Sequence, residues 1–181
     1  MEIKANASYE RVSDLAYFSS GAQARDLELV RKVPSNPITR LFQPSKQYFV
    51  RKRYKFGGTE QTSAAGPRYL WSEYEILSKL EHPNIVRYVD FEYIPRKNNV
   101  NASIYMEYCG GGDLSQYTLN RDSAEKAISE KQFWEIFHQL ASAVLYCHTG
   151  LRVDDKGITV DAGWKRPILH RDIKPANGMV I

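Results

Sequence analysis

The sequence predicts an α+β fold: an antiparallel β-sheet carrying one helix, then a mainly helical region. Three features carry that expectation. The first hundred residues are dominated by short runs of β-branched and aromatic residues broken by Gly and Pro, as strands and turns are. One stretch among them, "RYLWSEYEILSKLE", repeats its apolar residues with the 3.6-residue period of a one-sided helix. After "GGGDL" the helical period takes over.

In chain order, residues 1–14 read as an N-terminal extension. They carry acidic residues early and no continuous apolar run, which predicts neither a secretory signal nor a membrane span. "LELVRKV" (Leu27 to Val33) and "QYFVRKRYKF" (Gln47 to Phe56) mix apolar and charged residues as half-exposed strands do, and the three prolines of "PSNPITRLFQPSK" mark a long loop between them. "GGTEQTSAAGP" is punctuation, and Pro67 stands where a helix can begin. The helical stripe runs through Leu70, Tyr74, Leu77 and Leu80, with Glu73 inside it. A carboxylate on a packed face is costly unless it turns to solvent or meets a cation from another element, and both outcomes stay open on these residues.

"IVRYVDFEYI" (Ile85 to Ile94) and "ASIYMEYC" (Ala102 to Cys109) are two further strands flanking the polar "PRKNNVN". "GGGDLSQY" reads as a flexible hinge entering a short helix, with Asp113 near its N-terminus, and sets the boundary between regions 15–109 and 110–181. Ser129 and Gln132 form a capping box. The helix they open has an apolar stripe of Phe133, Ile136, Phe137, Leu140, Val144 and Cys147, which predicts burial in a core. Thr149 to Pro167 reads as a loop before "ILHRDIKPAN".

Hydrophobic residues at 43% and charged residues at 25% exclude wholesale disorder. A net charge of +4 permits an anionic ligand without requiring one. The two cysteines, Cys109 and Cys147, lie far apart in apolar stretches and read as reduced thiols, hence an intracellular protein, cytoplasmic or nuclear.

The chemistry concentrates in "HRDIKPAN", where Asp172, Lys174 and Asn177 fall within six residues. A basic strand, a helix with an inward Glu, an apolar strand running into glycines and then this octet together resemble the eukaryotic protein kinase domain. Its catalytic-loop pattern, H-R-D-L-x-x-x-N, is matched with Ile173 in place of Leu. "SEYEILSKLEHPNIV", "YMEYCGGGDL" and "IFHQLASAVLYCH", followed by an insertion before the octet, are most similar to the NIMA-related serine/threonine kinases. The resemblance covers Leu15 to Ile181.

It implies a protein-kinase-like fold with an antiparallel N-lobe over 15–109 and a partial helical C-lobe over 110–181, truncated after the catalytic loop. It implies ATP and Mg²⁺ as cofactors and a protein with a Ser or Thr hydroxyl as substrate. Asp172 would orient that hydroxyl, Lys174 would sit against the transferred phosphoryl group, and Asn177 would offer an oxygen to the metal. Lys52 and Glu73 would be the strand–helix ion pair, Met106 the gatekeeper, and the backbone of Glu107 and Cys109 would face the adenine edge. Asp113 would reach the ribose, and Arg171 would meet a phosphorylated activation loop.

Two departures stand out. The glycine-rich loop keeps only Gly21, with Ser19 and Ala24 in the outer glycine places, and no Asp-Phe-Gly occurs in the 181 residues. A pseudokinase or scaffold that binds nucleotide without transfer is therefore the rival reading. Nucleic-acid binding by "YFVRKRYKF" is set aside, because alternate side chains of one strand point to opposite faces.

Overall fold

The computed structural model describes residues 1–15, 27–34, 47–57, 65–97, 99–122, 127–154 and 157–181. The chain divides into two compact units, Met1–Lys79 with Arg87–Tyr108 and Leu80–Val86 with Cys109–Ile181. The division thus falls at Tyr108/Cys109, and Leu80, last of the helical stripe, goes with the second unit.

The first unit is a five-stranded antiparallel sheet in the order β1-β2-β3-β5-β4 with one helix. Its strands are β1 (Ser8–Asp14), β2 (Leu27–Val33), β3 (Tyr48–Gly57), β4 (Tyr88–Pro95) and β5 (Asn99–Glu107), and its helix is α1 (Ala65–Leu77). Register sets Lys52 opposite Leu27 and Ile104, and Tyr54 opposite Ala102. Alternation then puts Lys52, Tyr54, Ala102 and Ile104 on one face, where Leu70 of α1 is fully buried with them and Phe91. Trp71 and Tyr74 extend that core onto Phe91, at ring separations of 5.5 and 4.3 Å.

The opposite face buries Val30, Phe49 and Tyr105 beneath Ala5 and Tyr9, whose ring stacks on Tyr105 at 4.1 Å. Asp90, buried here, accepts hydrogen bonds from Asn6 Nδ2 (3.0 Å), the Ala7 amide (3.2 Å) and Tyr9 Oη (3.1 Å), so its charge is compensated. Burial and then Asp90 push the Tyr9 phenol far above its ordinary pKa, keeping it a donor. Ile3 also exchanges both backbone hydrogen bonds with Tyr93. Residues 1–14 strap the sheet and supply β1. "SYERVSD" hides this because its partners lie far along the chain.

The charges of "VRKRY" separate as alternation requires. Arg51 and Arg53 lie on the face away from α1 and surround the buried Glu28, at 2.6 Å (Arg51 Nε to Oε2) and 2.8 Å (Arg53 to Oε1), with Arg11 at 3.7 Å.

The second unit contains α2 (Leu114–Asp122), α3 (Glu130–Thr149), the hairpin β6 (Leu151–Asp154) with β7 (Gly157–Val160), and a 3-10 turn at Pro175–Asn177. The Ser129–Gln132 capping box forms, and α3 ends on Gly150 at φ 73°, where a Cβ would lie 2.6 Å from Trp164. Tyr146, fully buried, donates to Asp161 Oδ2 (2.8 Å) and accepts from the Glu81 amide (3.2 Å). Its ring contacts His82 and Trp164 at 5.1 and 5.0 Å. Leu151–Asp154 and Gly157–Val160 thus pair as a hairpin, followed by a turn anchored by Asp161 and Trp164, rather than the expected loop.

The apolar stripe of α3 does not enter a core as the sequence predicts. Ala143 and Tyr146 are buried, but Phe133, Phe137 and Leu140 are 55, 52 and 44% exposed. Among the described residues, the rings facing Phe133 and Phe137 are each other's and Trp134's. No helix among the described residues is long and apolar enough to cross a membrane.

Candidate active site

In the first unit, Lys52 and Glu73 meet because β3 aims Lys52 at α1 and the helical stripe aims Glu73 back. Lys52 Nζ lies 2.7 Å from Glu73 Oε1, with the two side chains 17 and 23% exposed. Breaking so shielded a pair leaves a charge that water screens only partly. Lys52 Nζ also sits 5.3 Å from the centre of the Tyr54 ring, a contact absent from the sequence reading although a spacing of two on one strand is its signal.

Met106 packs against the core on the α1 face and lies opposite Val50 and Tyr88. Glu107 is tied to Arg87: its amide donates to the Arg87 carbonyl (3.0 Å), and its Oε1 accepts from the Arg87 amide (2.7 Å). Gly21, Ser19 and Ala24 lie outside the described residues.

In the second unit, Cys109 is buried, and Asp113 is buried with Oδ1 accepting from the Gln116 amide (2.9 Å), the N-cap of α2. Asp113 is thus a helix cap. The segment around it is zipped to the residues that follow the octet. Gly111 donates to Val180 (2.9 Å), Val180 to Gly112 (2.8 Å) and Leu114 to Gly178 (2.7 Å). A Cβ on Gly111 would stand 2.7 Å from the Val180 oxygen, so this approach requires glycine.

Asp172, Lys174 and Asn177 form one cluster. Lys174 Nζ is 3.0 Å from Asp172 Oδ2, and Asn177 Nδ2 donates to both Asp172 Oδ2 (2.9 Å) and the Asp172 carbonyl (2.8 Å). Lys174 first and Asn177 second hold the Asp172 carboxyl below its ordinary pKa, so it stays an ionised acceptor at neutral pH. The Asp172 amide donates to His170 Nδ1 (3.2 Å), and Arg171 between them has φ 65°. A non-glycine residue held in the left-handed region stores about 1–3 kcal/mol, a cost met at sites where geometry serves chemistry.

The donor set suits Mg²⁺ held largely through phosphate. Asn177 gives both amide protons to Asp172, which leaves its oxygen as the hard donor. Among the described residues no group of three His, Cys, Asp or Glu forms a metal cage, and Mg²⁺ in phosphoryl-transfer sites needs only one or two protein oxygens.

Comparison with known proteins bears on the family. Residues 40–181 match the protein kinase domain family. The chain is 39% identical over 119 residues to the G2-specific protein kinase nimA of Emericella nidulans, covering 60% of this chain and 17% of that protein. It is 41% identical over 118 residues to nim-1 of Neurospora crassa, covering 60% and 14%, and 39% identical over 113 residues to human Nek2, covering 62% and 22%. The chain therefore spans less than a quarter of these relatives' lengths. With its octet, its strand–helix ion pair and a match over residues 40–181, the chain belongs to the protein kinase domain family.

Proposed function

We propose that this chain is the nucleotide-binding and catalytic-loop part of an intracellular NIMA-type serine/threonine kinase, which transfers the γ-phosphoryl group of ATP to a protein hydroxyl. The observation that carries the reading is the Asp172–Lys174–Asn177 cluster. Phosphoryl transfer needs a positioned hydroxyl and neutralised phosphate charge. Asp172, ionised, accepts or orients the hydroxyl proton, while Lys174, 3.0 Å from it, offers a cation to the transferred group. Lys52, held by Glu73, does the same for the phosphates that are not transferred. The Asn177 oxygen is the group that would hold Mg²⁺, which when bound neutralises phosphate charge.

Transfer of labelled phosphate from ATP to a basic protein, compared between the chain and Asp172→Asn, tests this. The expected loss is about 10²- to 10⁴-fold. Equal transfer by both would overturn the assignment. The glycine-rich loop, which keeps only Gly21 of its glycines, favours a second reading, nucleotide binding without transfer. Thermal stabilisation by ATP with no labelled product would select it.

A further inference from the structure

The face of the sheet beneath α1 holds two buried polar atoms without a hydrogen-bond partner among the described residues, Tyr54 Oη and Glu73 Oε2. One is a donor and the other an acceptor. An unmatched buried polar group is costly, and a buried donor and a buried acceptor that both neighbour Lys52 Nζ can satisfy each other. Glu73 offers Oε1 to Lys52 at 2.7 Å, so Oε2 is the oxygen still to be satisfied. Tyr54, two residues after Lys52 on β3, leaves the same face of the sheet, and its ring already lies 5.3 Å beneath the Lys52 ammonium.

We infer that Tyr54 is a positioning residue: its O–H donates to Glu73 Oε2, so that one carboxylate is clasped by Lys52 on one oxygen and by Tyr54 on the other. Burial first and the Glu73 carboxylate second drive the Tyr54 phenol far above its ordinary pKa, which keeps the proton in place to be donated. Tyr69, one turn before Glu73 on α1, also feels that carboxylate. At 45% exposure its hydroxyl has water as an alternative, so it holds Glu73 less firmly. The clasp ties α1 to β3 before any nucleotide arrives and fixes the Lys52 ammonium between a carboxylate and an aromatic face. Its purpose rests on the kinase reading, but its existence does not.

The test uses the 181-residue chain with ¹³Cζ-labelled tyrosine in an equal mixture of H₂O and D₂O. A hydrogen-bonded, buried hydroxyl exchanges slowly and splits the Tyr54 signal into two lines; one averaged line would overturn the clasp. With ¹³Cδ-labelled glutamate, Tyr54→Phe shifts the Glu73 carboxyl signal more than Tyr69→Phe does, and a Glu73 signal that ignores Tyr54→Phe would also overturn it. Binding of ATP with Mg²⁺ weakens about fivefold in Tyr54→Phe, the effect of one positioning hydrogen bond. Failure of the unsubstituted chain to bind ATP would count against the kinase reading, while the two lines still decide the clasp.

Discussion

The two units treat their apolar surface in opposite ways. In the first, Leu70, Phe91 and Ile104 close a core between sheet and helix, and the other side of the sheet is sealed by Ala5 and Tyr9. In the second, the buried centre is polar and aromatic, Tyr146 with His82, Trp164 and Asp161, while the first half of α3 presents Phe133, Trp134 and Phe137 to solvent. The contrast separates two kinds of stability. The first unit completes itself within the described residues, whereas the second is held by a directional network around one ring.

The largest effect belongs to the closed core. Leu70→Ala should cost about 2–5 kcal/mol, read as a fall in the urea midpoint, because the fully buried side chain leaves a cavity between α1 and the sheet. A loss below about 1 kcal/mol would mean that the first core is as open as the second.

An intermediate effect probes the polar centre. His82 accepts the Asn84 amide hydrogen at Nδ1 (3.1 Å) and faces Ser142 Oγ through Nε2 (3.2 Å). Burial and then the Arg152 guanidinium hold its pKa below the ordinary value. The folded state therefore prefers the neutral ring, and the unfolded chain binds more protons once the pH falls below about 6.5. Stability should drop as the pH is lowered from about 7.5 to about 5.5, and His82→Gln should flatten that drop. An undiminished drop in the variant would assign the pH response elsewhere.

The smallest effect concerns the exposed face. Phe137→Gln should change stability by less than about 0.5 kcal/mol while reducing self-association in sedimentation. A cost of several times that would show that Phe137 is packed in solution.

Much of the site could be read from the sequence because its signals are local. Glu73 inside an apolar stripe had either to turn to solvent or to meet a cation, and Lys52 of β3 is the cation it meets. Ser129 and Gln132, three residues apart, fixed the start of α3. What escaped was non-local. The strap of residues 1–14 depends on Asp90 and Tyr93, remote in sequence from it, and the hairpin after α3 depends on Tyr146 and Trp164, which flank it and meet each other across it. The α3 stripe misled for a related reason: its period establishes that a face is apolar, and only a packing partner establishes that it is buried. Asp113, read as a ligand from the sequence, also caps a helix, a role that a carboxylate before a short helix readily takes.

On the proposed function, Lys52, held by Glu73, grips a nucleotide and does not merely join a strand to a helix. Calorimetric titration of the chain and of Lys52→Met with ATP and Mg²⁺ tests it most directly. Saturable binding that weakens about tenfold in Lys52→Met, as expected when a charge-assisted contact worth about 1.4 kcal/mol is lost, is the predicted result. Identical isotherms for the two proteins, or no binding by either, would contradict it.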